Sequence, residues 1–337
     1  MVIVPAGSGA TGATPAKQRG GPQVGIACTA WASRDARFSV TLGNRLCRVE
    51  FDISTSAAAM DQVIGPYARA GIRVQPLAGF VGRLPSEADA QRLATWAERF
   101  GPRGAFWRRW KHPLPIQNIE FGNETSYTYQ YPSGDLASRA RDYALRAKDA
   151  SIALRATGVG LLVQADDADT NNSIWVDQMF SAVPDLAQRV SGWTIHPYGD
   201  DGFARIRRMV AQLAAVGSPR SVPIFITEWG LASVNGGQLS NNYGYATNMT
   251  YAQAAATLRS VMARWKAMYG SRIAEVIYYM LTDLKPPGST TDGEQFFGAL
   301  KVDGSRKGEY TLEVRAQVRS SIAGSARQRL PSSSTTP

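Results

Sequence analysis

The sequence predicts a single (β/α)8 barrel. Three observations carry this: eight short runs rich in β-branched and aromatic residues, longer helical-period segments between them, and no nucleotide-cradling glycine motif after any strand. A doubly wound sheet also alternates strands and helices, but it has fewer strands or splits into two domains, and its phosphate-binding turns are missing here.

The strand candidates are VGIACTA (24–30), RLCRVEF (45–51), IRVQPLAGF (72–80), IQNIEFG (116–122), VGLLVQA (159–165), GWTIHPY (192–198), PIFITEW (223–229) and IAEVIYYML (273–281). The clearest helices between them run Ala57–Ala70, Ser86–Phe100, Leu136–Thr157, Trp175–Val190, Gly202–Val216 and Tyr251–Tyr269. Ser86, followed by Glu87 and Asp89, reads as a helix start, and Gly71, Gly158 and Gly270 stand where helices should stop. Residues 1–23 read as a flexible leader with no visible signal peptide. Residues 24–324 read as the barrel, and 325–337 as a Ser/Thr/Pro-rich tail or linker.

Composition narrows the chemistry. Among 337 residues there are two cysteines and two histidines, too few for a four-cysteine zinc site or an iron–sulfur cluster. Cys28 and Cys47 are too far apart for a zinc knuckle. They are expected on neighbouring strands as buried free thiols, with a disulfide as the alternative, because directly paired parallel strands seldom offer disulfide geometry. No metal or cofactor is expected, and catalysis is expected to run through carboxylates. The net charge is +10, from 37 basic and 27 acidic residues. The basic residues are scattered, so a nucleic-acid partner is not expected. No stretch reaches the roughly 18 apolar residues of a membrane span.

In such a barrel the chemistry lies where strands end. Strand four ends in Glu120 through Thr125, strand seven in Thr227-Glu228-Trp229-Gly230 and strand six in His196-Pro197-Tyr198, while strand two carries Arg48, Glu50 and Asp52. Two glutamates facing each other across one mouth are what glycoside hydrolysis needs. One protonates the departing oxygen; the other attacks or stabilises the anomeric carbon.

Asn123-Glu124 after strand four, with Thr227-Glu228-Trp229-Gly230 after strand seven, resembles the signature of the clan A glycoside hydrolases. The segment FGPRGAFWRRWKHPLPIQNIEFGNET, together with TEWGLAS and the late YYMLTD and FFGALKVDGS, is similar to bacterial proteins grouped near glycoside hydrolase family 39. The resemblance covers Val24 to Ile322. It implies a retaining enzyme with Glu124 as acid/base and Glu228 as nucleophile. By position it implies Asn123 on a sugar 2-hydroxyl, Arg48 beside the nucleophile, and His196 and Tyr198 lining the site. The chain departs from that pattern at Gly122 and Thr125, where Trp and Pro are usual, and at Tyr278, Tyr279 and Met280, where a Trp floor is usual. Tyr279 is expected to take the floor's place.

Trp31, Trp175 and Trp229 follow strands and are expected to stack on sugar rings, whereas Trp107 and Trp110 precede strand four and are expected to pack at the opposite face. Glu120 and Glu50 are expected to form a buried ionic layer with Arg48. Asp166, Asp167 and Asp169 read as a solvated turn, and Asp283 stands between a mouth support and plain loop. The expected function is hydrolysis of a plant or microbial oligo- or polysaccharide in a secreted or extracellular setting. The alternative is a catalytically inactive glycan-binding barrel.

Overall fold

The computed structural model describes residues 21–327 except 81, 133, 167–173 and 200. The expected leader and tail, Asp167 and Asp169 lie mostly or wholly outside the described residues. The eight strands are β1 (Gln23–Cys28), β2 (Leu46–Asp52), β3 (Arg73–Gly79), β4 (Asn118–Phe121), β5 (Gly160–Gln164), β6 (Gly192–Ile195), β7 (Ile224–Trp229) and β8 (Ile273–Tyr278). All pair in parallel in chain order, and β8 closes on β1. The sequence-predicted (β/α)8 barrel is therefore the observed fold.

Around it lie α1 (Ala32–Leu42), α2 (Ala57–Arg69), α3 (Glu87–Phe100), α4 (Leu136–Leu154), α5 (Ile174–Ala182), α6 (Leu186–Arg189), α7 (Gly202–Ala215), α8 (Tyr251–Tyr269) and α9 (Gly308–Arg327). Ser86 and Asp89 form a reciprocal capping box at the start of α3, as do Thr250 and Gln253 at α8. The helix expected over 175–190 is two pieces. Pro184 has no N–H to continue the ladder, so the chain turns between α5 and α6. Helix α1 escapes the periodicity because its buried face carries Asp35, whose carboxylate accepts from the N–H and hydroxyl of Thr29.

The main apolar core lies between the outward faces of the strands and the helices. Trp107 is buried in it and packs against Phe106 and Trp110, the packing role expected of these tryptophans. The barrel interior is more polar: Arg48, Gln75, Glu120, Glu275, Thr194, His196 and Thr227 are all buried. Lys307 and Asp283 form a fully buried ion pair at 2.7 Å. Lys307 also donates to the Phe296 carbonyl, which ties the segment after β8 to the start of α9. Asp283 is thus a loop anchor.

The free-thiol expectation is corrected: Cys28 and Cys47 are disulfide-bonded, with Cα atoms 5.5 Å apart. The two are not directly opposed, since Cys47 pairs with Ile26 and Cys28 with Val49. Both side chains project from the outward face beneath Ser39 of α1, and the diagonal step brings them within disulfide reach.

Candidate active site

Arg48, near the middle of β2, is 5 % exposed and organises the mouth. Its guanidinium donates from Nε to Glu120 Oε2 at 2.5 Å, from Nη1 to Glu228 Oε1 at 2.5 Å and from Nη2 to Asn123 Oδ1 at 3.0 Å. The planar fork suits this division among three partners better than an ammonium would. Burial opposes its charge, but Glu120 and Glu228 hold it more firmly protonated than a free arginine. Burial would raise the Glu120 carboxyl, yet Arg48 and His196 outweigh it and hold it down at about 2.

Glu228 is the next-to-last residue of β7, where the register against β8 shifts between Ile226 and Trp229. Such an irregularity lets consecutive side chains address one site. Thr227 Oγ1 lies 3.0 Å from His196 Nε2, while Glu228 reaches Arg48. Tyr198 donates its hydroxyl to the other Glu228 oxygen at 3.1 Å, so both oxygens are held.

Glu124 lies three residues past β4. Gly122 precedes it with φ +84°, and a side chain there would collide with Thr125 Cγ2 at 2.6 Å. Glu124 itself has φ +46°, a left-handed conformation that costs a non-glycine residue about 1–3 kcal/mol and gathers at functional sites. One Glu124 oxygen accepts from His196 Nδ1 at 3.0 Å.

His196 stands among three carboxylates, with Glu120 at 3.7 Å and Glu228 at 3.8 Å besides Glu124. Burial alone would lower its pKa, but Glu228, Glu120 and Glu124 push it up to about 10. Ligand atoms of Glu124, His196 and Glu228 all lie within 4.8 Å of one another. As an imidazolium, however, His196 has no lone pair to give a cation, and the cluster reads as an acid–base site.

A wall of aromatic rings closes one side. Tyr198 lies 5.4 Å from Tyr243 and 5.7 Å from Phe297, and Tyr279 lies 6.0 Å from Phe297. Tyr243 comes from the β7–α8 connection, and its hydroxyl donates to Glu294. The connection approaches so closely that a side chain on Gly199 would meet the Tyr243 carbonyl at 2.0 Å.

Most of the sequence-predicted residues therefore converge: Glu124, Glu228, Asn123, Arg48, His196, Tyr198 and Tyr279 form one cluster. Trp175 does not join it, being fully buried against Tyr143 with its Nε1 on the Gln164 carbonyl, and neither does Trp229. It is fully buried, with its ring 4.8 Å from that of Trp265, because the β7 irregularity turns it toward α8. Trp31 stands on the outer rim at the start of α1, 69 % exposed, with Arg34 over its ring. Glu50 is also corrected: it is exposed at the mouth, while Glu120, Arg48 and His196 form the buried ionic layer. Asp166, read as a solvated turn, is buried and paired with Arg205. Thr227 and Tyr243 went unrecognised. For Thr227 the signal was its place beside Glu228; for Tyr243 it was only a Tyr-rich connection.

No protein-family model matches the chain, and no curated protein does. Solved structures do match its fold. An endo-1,4-β-xylanase from Caldicellulosiruptor owensensis superposes with a TM-score of 0.56 at 11% identity, over 88% of this chain and 96% of that one. A structure described with two fungal β-1,4-galactanases gives 0.59 at 9% identity over 87% and 94%. A broad-specificity endoglucanase of Clostridium longisporum gives 0.54 at 12% identity over 91% and 97%. At such identities the likeness is one of fold, a barrel that glycoside hydrolases share.

Proposed function

We propose that the chain is a retaining O-glycoside hydrolase of the clan A type, near family 39, acting on an oligo- or polysaccharide. The observation that carries this is the Glu124–Glu228 pair, with oxygens within 4.8 Å of each other at the strand-end mouth. That separation matches the about 5–5.5 Å of retaining enzymes and is too short for the water an inverting enzyme places between its carboxylates.

In the first step Glu228 attacks the anomeric carbon while the glycosidic C–O bond breaks and Glu124 gives its proton to the leaving oxygen. A glycosyl ester of Glu228 results. In the second step Glu124, now a carboxylate, takes a proton from water as the water oxygen attacks the anomeric carbon, and Glu228 departs. Arg48 and Tyr198 hold one oxygen of Glu228 each and so aim it for the attack, and His196 holds an oxygen of Glu124 through Nδ1. Asn123, its oxygen occupied by Arg48, has amide N–H groups that can donate to a sugar hydroxyl. Tyr279, Tyr198 and Tyr243, packed on the buried Phe297, offer ring surface to the sugar, with Trp31 a more distant platform. The disulfide supports a secreted or extracellular setting, since such bonds persist in oxidising compartments. Among the described residues no helix is long and apolar enough to cross a membrane.

The test is a panel of xylan, β-1,4-glucan, β-1,4-galactan, laminarin and arabinan with matching aryl glycosides, run on wild type, Glu124→Ala and Glu228→Ala. Each variant should lose about 10³-fold or more on the best substrate. Azide should restore Glu228→Ala and yield a glycosyl azide of inverted configuration. Near-normal turnover in either variant overturns the assignment, and binding without cleavage by wild type points to the inactive barrel.

A further inference from the structure

The left-handed backbone of Glu124 needs something to hold it. The β4–β5 ladder ends at Glu120 and Leu162, and beyond that pair the two strands part. Two side chains fill the gap. Tyr143 donates its hydroxyl to the Phe121 carbonyl at 2.7 Å and accepts from the Gln164 N–H at 3.1 Å, bridging where a strand pair would have been. Above it lies the Gln164 side chain, 5 % exposed.

Gln164 makes three of its four side-chain hydrogen bonds to the loop that carries Glu124. Its Oε1 accepts from the Thr125 N–H at 2.6 Å and from the Thr125 hydroxyl at 3.2 Å. Its Nε2 donates to Ser126 Oγ at 3.3 Å and to the Asp166 carbonyl at 3.0 Å. The Thr125 N–H belongs to the peptide directly after Glu124, so its direction reports the Glu124 backbone conformation. Thr125 and Ser126 are fully buried, so no water replaces the amide. Gln164 is itself fixed, since its carbonyl accepts from Trp175 Nε1 at 3.2 Å and β5 pairs with β6 at Gln164 and Thr194.

We infer that Gln164 is the positioning residue of the acid/base: it locks the peptide after Glu124 and so sets where the Glu124 carboxyl stands. The inference rests on the proposed function and adds a role that the Glu124–Glu228 geometry does not require.

The test separates proton donation from general damage. Gln164→Met keeps the volume and removes all four side-chain bonds. Wild type, Gln164→Met and Glu124→Ala are assayed on 2,4-dinitrophenyl and phenyl β-glycosides of xylobiose, cellobiose and galactobiose, using the sugar wild type cleaves best. Dinitrophenolate departs without a proton, whereas phenolate needs one. For Gln164→Met, kcat/KM on the phenyl glycoside should fall about 10²-fold, as a displaced catalytic group does, and on the dinitrophenyl glycoside less than about 5-fold. Equal losses on both, or no loss, overturn the inference. If Glu124→Ala itself loses equally on both, the acid/base assignment fails instead. Should Gln164→Met show no cooperative unfolding transition, Thr125→Val decides. It keeps the N–H and deletes the hydroxyl, and should cost about 3-fold on the phenyl glycoside only. An equal effect on both, or none, overturns the inference.

Discussion

Arg48→Met isolates the contribution of the buried ionic layer. The variant leaves Glu120, 1 % exposed, without its 2.5 Å partner and, among the described residues, with only His196 at 3.7 Å as a cationic neighbour. Breaking a buried pair from one side costs about 3–5 kcal/mol. A second route agrees: a carboxyl held at about 2 against an ordinary 4.5 corresponds to about 3 kcal/mol. Because the folded value is depressed, this stability is present above pH 4.5 and is lost as pH falls toward 2. Urea unfolding followed by tryptophan fluorescence should therefore show Arg48→Met about 3 kcal/mol less stable at neutral pH, with the gap closing in acid. The double variant Arg48→Met/Glu120→Met should recover about 2 kcal/mol or more, since it removes the stranded charge. Both should be inactive, because Glu228 has lost its aligning guanidinium. A loss below about 1 kcal/mol, a double variant no better than the single, or a gap unchanged in acid would refute the reasoning.

Burial raises the Glu275 carboxyl to about 7, so its favourable protonated state is lost as pH rises from 4.5 toward 7. Glu275→Gln should match wild type below that window and exceed it by about 3 kcal/mol above it in chemical denaturation; a pH-independent difference would contradict this. The Cys28–Cys47 bond closes a separation of 19 residues, and reducing it should cost about 3 kcal/mol. Dithiothreitol should lower the unfolding midpoint of wild type and leave Cys28→Ala/Cys47→Ala unmoved. Trp31→Ala should change stability by less than about 0.5 kcal/mol while raising KM on polymers, whereas Trp229→Ala should cost about 3–5 kcal/mol. Thermal melts showing the reverse order would place these rings wrongly.

The architecture was legible because hydrophobic period is a local property: alternation along PIFITEW and helical spacing along α8 can be read without knowing their neighbours. The site was legible in part for the same reason, since Glu124, His196 and Glu228 follow identifiable strand ends. The misreadings share another cause. Cys28 and Cys47 were judged as directly opposed, Trp229 as open to the mouth and Glu50 as a layer partner of Arg48. Each judgement needed the stagger between strands or a local register shift, and neither is encoded in the spacing of one strand.

From its residues alone, the chain had to alternate strand and helix and carry its acids to the rim of a closed sheet, because burial of apolar faces admits few other arrangements. Only the folded molecule decided that one arginine would be shared by Glu120, Glu228 and Asn123, that a histidine would sit as a cation among three carboxylates, and that a distant tyrosine would lean over them. Those outcomes depend on ångström-scale distances between segments up to 180 residues apart. Such distances are set by barrel closure and loop packing, which no short stretch of sequence contains.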